Sequence, residues 1–205
     1  RLCSSAASDV YKRQDFNFDI HKKLQKKGVK TIHVVCPSVW AWRPGRVKKF
    51  KYVDYMLCLF PFELEYCTNV NKQAFCIGHP LLDKQSDYEN NEIENIICLM
   101  PGSRRSEIKN NLDVMIDGFN QFNFDEKYKA VIPIYKEDDK HLIQHKIQSH
   151  KHVTFANVES SEILKKAKAA VICSGTATLE ALLAEIPTTV IYKTNWLNHF
   201  ILKHM

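Results

Sequence analysis

The sequence predicts an α/β protein with parallel sheets, divided over two domains. Three observations carry that expectation. Short apolar runs of strand length alternate with longer segments of helical periodicity along most of the chain. The strand runs are nearly continuous in apolar residues, as in sheets covered by helices on both faces. One acidic, Asn-rich stretch, Leu82 to Asn95, interrupts the alternation and reads as a linker. With 205 residues, 45% of them hydrophobic and 25% charged, the chain can bury a real core, which excludes a disordered or fibrous protein.

The elements follow in order. Asp19 to Lys27 has helical spacing, and Gly28 ends it as a C-cap. Lys30 to Val35 reads as a strand, Arg46 to Tyr52 as a short basic helix, Tyr55 to Phe60 as a strand, Pro61 to Cys67 as the start of a helix, and Gln73 to Ile77 as a short strand. Beyond the linker come a strand at Ile96 to Met100, a helix at Ser106 to Phe122, a strand at Lys129 to Ile134 and a helix at Asp138 to Gln148. The series continues with a strand at His152 to Ala156, a helix at Ser160 to Lys166, a strand at Ala169 to Cys173, a helix at Thr176 to Glu185 and a strand at Thr188 to Tyr192. A last helical pattern runs from Asn195 to Met205 without a capping signal. Arg1 to Gln14 lacks periodicity and the make-up of a signal peptide, and is expected to be a non-native or disordered end. The expected organisation is therefore residues 15–81, the C-terminal part of a first Rossmann-like domain, a linker at 82–95, and a second, truncated Rossmann-like domain at 96–205. No sequence repeat points to a solenoid.

Charge and cysteine usage narrow the function classes. Lys+Arg 29 against Asp+Glu 23 gives a net charge of +6, basic but too mild to name nucleic acid as partner. No apolar run reaches the ~20 residues of a membrane-crossing helix. Seven cysteines contain no C-x-x-C pair, and Cys58, Cys76, Cys98 and Cys173 sit in apolar runs, so buried free thiols in a reducing compartment are expected rather than disulfides or zinc.

Ligands of open α/β sheets bind beyond the carboxyl ends of the strands. Two loops there stand out. In Met100-Pro101-Gly102-Ser103-Arg104-Arg105-Ser106-Glu107, the glycine permits close backbone approach, a helix start offers N–H groups to an anion, and the arginines suit phosphate oxygens. In Cys173-Ser174-Gly175-Thr176-Ala177-Thr178-Leu179-Glu180, Gly175 permits the turn, backbone N–H groups suit a diphosphate, and Glu180 lies one helical turn from Thr176, where a carboxylate accepts both hydroxyls of a ribose. The plainer alternative for each is a helix cap, with Glu107 in the first turn and Glu180 solvated. Together the loops suggest a nucleotide-sugar site.

The upstream half carries a different signal. His21 to Lys51 holds ten Lys and Arg residues and no acidic one, around the loop Pro37-Ser38-Val39-Trp40-Ala41-Trp42-Arg43. Trp40 and Trp42 beside Arg43 and Arg46 suit an anionic membrane surface or an amphiphilic acceptor. The lysines from Lys22 to Lys27 read as a solvated helix face.

In order and spacing, Ser38-Val39-Trp40-Ala41-Trp42-Arg43, Gly45-Arg46-Val47-Lys48-Lys49, Leu59-Phe60-Pro61-Phe62-Glu63, Gly78-His79-Pro80, Pro101 to Glu107 and Ser174 to Glu180 resemble the lipid-A-disaccharide synthase family, from about Asp15 to the end. The resemblance implies a GT-B glycosyltransferase of Gram-negative bacteria that joins UDP-2,3-diacylglucosamine to 2,3-diacylglucosamine 1-phosphate with inversion and releases UDP. It implies no metal or redox cofactor. By resemblance, Gly102, Ser103 and Arg104 meet the donor's diphosphate, Ser174, Gly175 and Thr176 cradle it, and Glu180 holds the ribose. His79 either reaches the diphosphate or serves as a hinge. Asn17, Trp40, Trp42, Arg43 and Arg46 face the acceptor or the membrane. The implied place is the cytoplasmic face of the inner membrane, with no nucleic acid bound and the oligomeric state open.

One departure matters. The family reads Asp-x-Pro-Asp-Phe-Asn before its Phe-Asn pair, the first Asp being the candidate base. Here the run is Lys12-Arg13-Gln14-Asp15-Phe16-Asn17, so Lys12 stands at the base position and no catalytic base is assigned. An internal piece lacking both ends, inactive alone, is the resulting expectation. Two other readings stay open: another UDP-sugar GT-B enzyme of the N-acetylglucosaminyl transferase or UDP-GlcNAc 2-epimerase type, and a basic module binding anionic lipid or nucleic acid. The tryptophan-basic loop speaks against the first, and salt-sensitive binding indifferent to UDP would mark the second.

Overall fold

A computed structural model describes residues 16–41, 44–70, 73–83, 92–134 and 137–193. The chain divides into two compact units, Arg1–Pro80 and Leu81–Met205. The expected end at residues 1–14, Lys12, Trp42, Arg43, the middle of the expected linker and the pattern from 195 to 205 lie outside the described residues.

The first unit opens with helix α1 (16–25), closed by Gly28 at φ +70, the left-handed conformation a glycine C-cap supplies. Strands β1 (Ile32–Val34), β2 (Tyr55–Cys58) and β3 (Ala74–Cys76) form a parallel sheet in that order, with His33 opposite Met56 and Met56 opposite Ala74. The short basic helix expected at Arg46 to Tyr52 is a 3₁₀ segment, Pro44–Tyr52, that links β1 to β2, and helix α2 (Glu63–Thr68) links β2 to β3. Phe18 of α1 stacks on His33 at 4.9 Å and on Phe50 at 5.7 Å, and these rings join Met56, Cys58 and Cys67 in one core on one face of the sheet.

The opposite face departs from the sequence expectation of strands buried on both sides. Ile32, Val34, Tyr55 and Phe75 point there and are exposed. No described helix covers them. Cys76, expected in the core, is exposed for a related reason: it ends β3, an edge strand among the described residues.

The second unit contains β4 (Ile96–Met100), α3 (Arg105–Phe122), β5 (Lys129–Pro133), α4 (Glu137–Ile147), β6 (Val153–Ala156), α5 (Ser160–Leu164), β7 (Ala169–Cys173), α6 (Ala177–Leu183) and β8 (Thr188–Ile191). All strand pairs are parallel, in the order β6-β5-β4-β7-β8. Alternate residues of β4 divide between two cores, as strand periodicity requires. Ile97 and Leu99 pack with α3 and α4, while Cys98 and Met100 pack with α5 and α6. In α3, Ile108, Leu112, Met115, Ile116 and Phe119 recur at helical spacing and are buried together. This unit is an α/β layer covered on both faces, although the edge strand β8 is largely exposed.

Candidate nucleotide-sugar site

Chain order fixes where the second sheet opens. Winding runs outward from β4 through β5 to β6, then returns to the other side of β4 for β7 and β8. At such a reversal the loops leaving two neighbouring strands diverge to opposite faces, and a crevice forms beyond their carboxyl ends. The neighbours here are β4 and β7, paired in register with Met100 opposite Ile172. The loops that follow them are 101–104 and 174–176, the two singled out in the sequence.

The first loop depends on its glycine. Gly102 has φ +117, and a Cβ there would lie 2.5 Å from the Cβ and 2.6 Å from the Oε2 of Glu107. Glu107 folds back over the turn: its Oε2 accepts from the backbone N–H of Ser103 at 3.1 Å and of Arg104 at 3.2 Å, and its Oε1 pairs with the Arg104 guanidinium. The local cap has thus taken two N–H groups that the sequence reading offered to a phosphate, because a carboxylate three or four residues away reaches them without closing a long loop. The Arg104 side chain remains 66% exposed, and a guanidinium has five N–H donors, so the pair with Glu107 orients it without exhausting it.

The second loop is built differently. Ser174, Gly175 and Thr176 are all exposed. The N–H of Ser174 donates to Ile191 O at 3.0 Å, anchoring the turn to β8, and the Thr178 hydroxyl donates to Gly175 O at 2.6 Å. Gly175 lacks the positive φ that would demand glycine, and an added Cβ would meet only Cys173 O at 3.9 Å. The turn that Gly175 permits therefore does not demand a glycine; its missing side chain keeps the outer surface open. Glu180 is half-buried rather than solvated, its Oε2 accepting a hydrogen bond from the Ser160 hydroxyl. Burial, with Glu180 adding to it, pushes the Cys98 thiol up to about 12.

Asn111, which the sequence reading passed over, links the first loop to the end of β7, just before the second. It is fully buried on α3; its Nδ2 donates to Pro101 O at 3.2 Å, Glu107 O at 2.8 Å and Cys173 Sγ at 3.4 Å, and its Oδ1 accepts from Lys193 N at 2.9 Å. One amide therefore ties the ends of β4 and β7 and the segment after β8. Its only signal in the sequence is a polar residue at a position the apolar stripe of α3 would otherwise fill.

The first unit presents an aromatic edge instead. Trp40, after β1, meets Phe62, after β2, edge-to-face at 4.9 Å, and Tyr66 lies 6.1 Å from it. Phe60 stacks on Phe62 and on His79, which follows β3. Trp40, Phe62 and Tyr66 stay exposed. Buried Glu63 shapes this edge much as Glu107 does the other, its Oε2 accepting from Leu59 N at 2.8 Å and Phe60 N at 3.1 Å; burial raises its carboxyl. His79, expected with the diphosphate or at a hinge, belongs to the first unit and packs on Phe60; burial lowers its basicity. Arg46 is half-buried in the 3₁₀ segment. Asn17 lines a separate depression with Ile20, His21, Ile32, His33 and Val34.

Beneath the aromatic edge the Cys36, Cys58 and Cys67 sulfurs lie within 4.8 Å of one another, a proximity no ligand spacing announced. The hydrogen bond with Cys67, then burial, raises Cys36, and burial pushes Cys58 up to about 12. Nearby Glu63 opposes a third or fourth negative charge in this pocket. No described helix is long and apolar enough to cross a membrane.

Comparison with known proteins adds to this geometry. A family model for lipid-A-disaccharide synthetase matches residues 10–205. The lipid-A-disaccharide synthase of Burkholderia mallei (strain SAVP1) is 37% identical over 203 residues, covering 92% of this chain and 52% of its own length. That of Francisella philomiragia subsp. philomiragia is 36% identical over 206 residues, covering 91% and 53%. The chain spans about half the length of the curated relatives it matches. UDP-GlcNAc 2-epimerase from Methanocaldococcus jannaschii shares the fold, with a TM-score of 0.56 at 16% identity over 87% of this chain and 58% of that one. The fold class is the parallel α/β of GT-B type that the sequence predicts. Matched along nearly all its length, the chain belongs to the lipid-A-disaccharide synthetase family.

Proposed function

We propose that this protein takes part in lipid A biosynthesis as an inverting glycosyltransferase, joining UDP-2,3-diacylglucosamine to 2,3-diacylglucosamine 1-phosphate and releasing UDP. Family membership supports the reaction class. The observation that carries the assignment of the donor is the pair of loops 101–104 and 174–176 on neighbouring strands at the winding reversal, with Asn111 bonded to Pro101 of the first and to Cys173, which precedes the second.

In this reading the second unit binds the donor. Transfer moves the anomeric carbon from the diphosphate oxygen to an acceptor hydroxyl, so negative charge grows on the departing UDP. Fixed positive charge aimed at that oxygen stabilises the transition state more than the ground state. Arg104, steadied by Glu107, supplies such charge, and the turn at Ser174, Gly175 and Thr176 holds the phosphates. Glu180 accepts the ribose hydroxyls. The first unit faces the acceptor: Trp40, Phe62 and Tyr66 offer apolar, partly polar rings to acyl chains or a headgroup layer, next to the basic residues of the 3₁₀ segment. That edge supports a place at a membrane surface, in this reading the cytoplasmic face of the inner membrane.

The test is a transfer assay on the full-length protein. Arg104→Ala is expected to lower kcat by about 10²-fold or more while leaving the fold intact. Unchanged turnover would remove Arg104 from the diphosphate site.

A further inference from the structure

We infer that Ser160 is a positioning residue for donor binding, holding Glu180 in the orientation that receives the ribose diol. This rests on the ribose assignment just made. Ser160 is the first residue of α5 and is 3% exposed. Its hydroxyl donates to Glu180 Oε2 across the boundary between α5 and α6. A buried hydroxyl needs a partner, and this one has taken a carboxylate from another helix.

Both ends of the contact are anchored. Ile163 and Leu164 of α5 and Ala181 of α6 share one core with Ile172 of β7, so the helix positions bearing Ser160 and Glu180 are fixed by apolar packing. Glu180 itself has three rotatable side-chain torsions and stands only one turn from the exposed loop 174–176. Left without a partner, its carboxylate would sample several rotamers, and a ligand would have to immobilise it. One hydrogen bond from Ser160 removes that freedom beforehand. It uses one of roughly four lone-pair sites on the carboxylate, leaving enough to accept from two vicinal hydroxyls.

The expected size follows from immobilising one flexible side chain, about three- to tenfold in affinity. The probes are UDP and 2′,3′-dideoxy-UDP, titrated calorimetrically into the full-length protein. Ser160→Ala should weaken UDP by about three- to tenfold, leave the dideoxy compound unchanged, and so shrink the preference between them. Ser160→Thr, which keeps the hydroxyl, should restore the preference, and Ser160→Ala should add nothing in a Glu180→Ala background. If Ser160→Ala weakens both nucleotides equally, or leaves the preference intact while Glu180→Ala abolishes it, Ser160 is only a structural pin and the ribose assignment survives without it. If Glu180→Ala also leaves the preference intact, the ribose assignment itself fails and the role of Ser160 falls with it.

Discussion

The two units use the same construction to opposite chemical ends. In each, parallel strands deliver loops to one carboxyl edge, and a glutamate at the start of a helix folds back onto backbone N–H groups of the turn: Glu63 in the first unit, Glu107 in the second. In the first unit these loops carry Trp40, Phe60, Phe62 and His79, rings that pack on one another edge-to-face or stacked. In the second they carry Gly102, Ser103, Arg104, Ser174, Gly175 and Thr176, small or cationic residues that leave backbone and charge accessible. The scaffold therefore decides where a ligand meets the protein, and the loop residues decide which chemistry it meets. An aromatic edge suits an amphiphile, and a Gly/Ser/Thr/Arg edge suits phosphates.

Acid should separate the units most strongly. His33, buried under Phe18 in the first unit, is held down to about 4 by burial, with His21 adding repulsion, against 6.5 when free. The folded form disfavours the proton that the unfolded chain accepts, so stability is full above pH 6.5, falls as the pH drops through the window from 6.5 to about 4, and levels off below it. The loss approaches about 3 kcal/mol at the bottom of that window. His21, lowered mainly by burial, acts in the same direction. Denaturant unfolding across this range is the measurement, and a His33→Leu variant should flatten the dependence. A wild-type stability unchanged between pH 7 and pH 4.5 would mean that His33 is not held neutral.

In the second unit the corresponding weak point is Asn111. Replacing it with leucine keeps the volume but leaves Lys193 N–H and Pro101 C=O without their side-chain partner. The expected destabilisation is about 2–3 kcal/mol, read from the denaturant midpoint, with UDP affinity falling alongside. Stability equal to wild type would show that the loops do not depend on this amide. The smallest of the three effects concerns the aromatic edge. Trp40→Ser with Trp42→Ser should reduce association with anionic liposomes roughly tenfold, from the partial apolar burial that the two rings lose, while UDP affinity stays constant. Undiminished sedimentation with liposomes would leave the rings without a membrane role.

What was legible in the sequence was the part that depends on local spacing. The order of strands and helices, both loops at the winding reversal and the Gly28 cap follow from period, turn residues and punctuation. The partners of those loops were not legible, because they arise from residues brought together across the fold. Asn111 meets Lys193 across 82 positions, and Ser160 meets Glu180 across 20. Two glycines that look alike in sequence also differ in kind: Gly102 occupies a conformation other residues resist, whereas Gly175 does not. Apolar composition shows what β1 and β3 can bury, and one face of each is exposed among the described residues.

The central claim is that the loops after β4 and β7 receive one uridine nucleotide between them. A titration of isotope-labelled full-length protein with UDP, followed through the backbone amide resonances of Gly102, Ser103, Arg104, Ser174, Gly175 and Thr176, tests it most directly. The account predicts that both groups shift together and fit a single dissociation constant. Shifts confined to one loop, or two groups titrating with different constants, would contradict it.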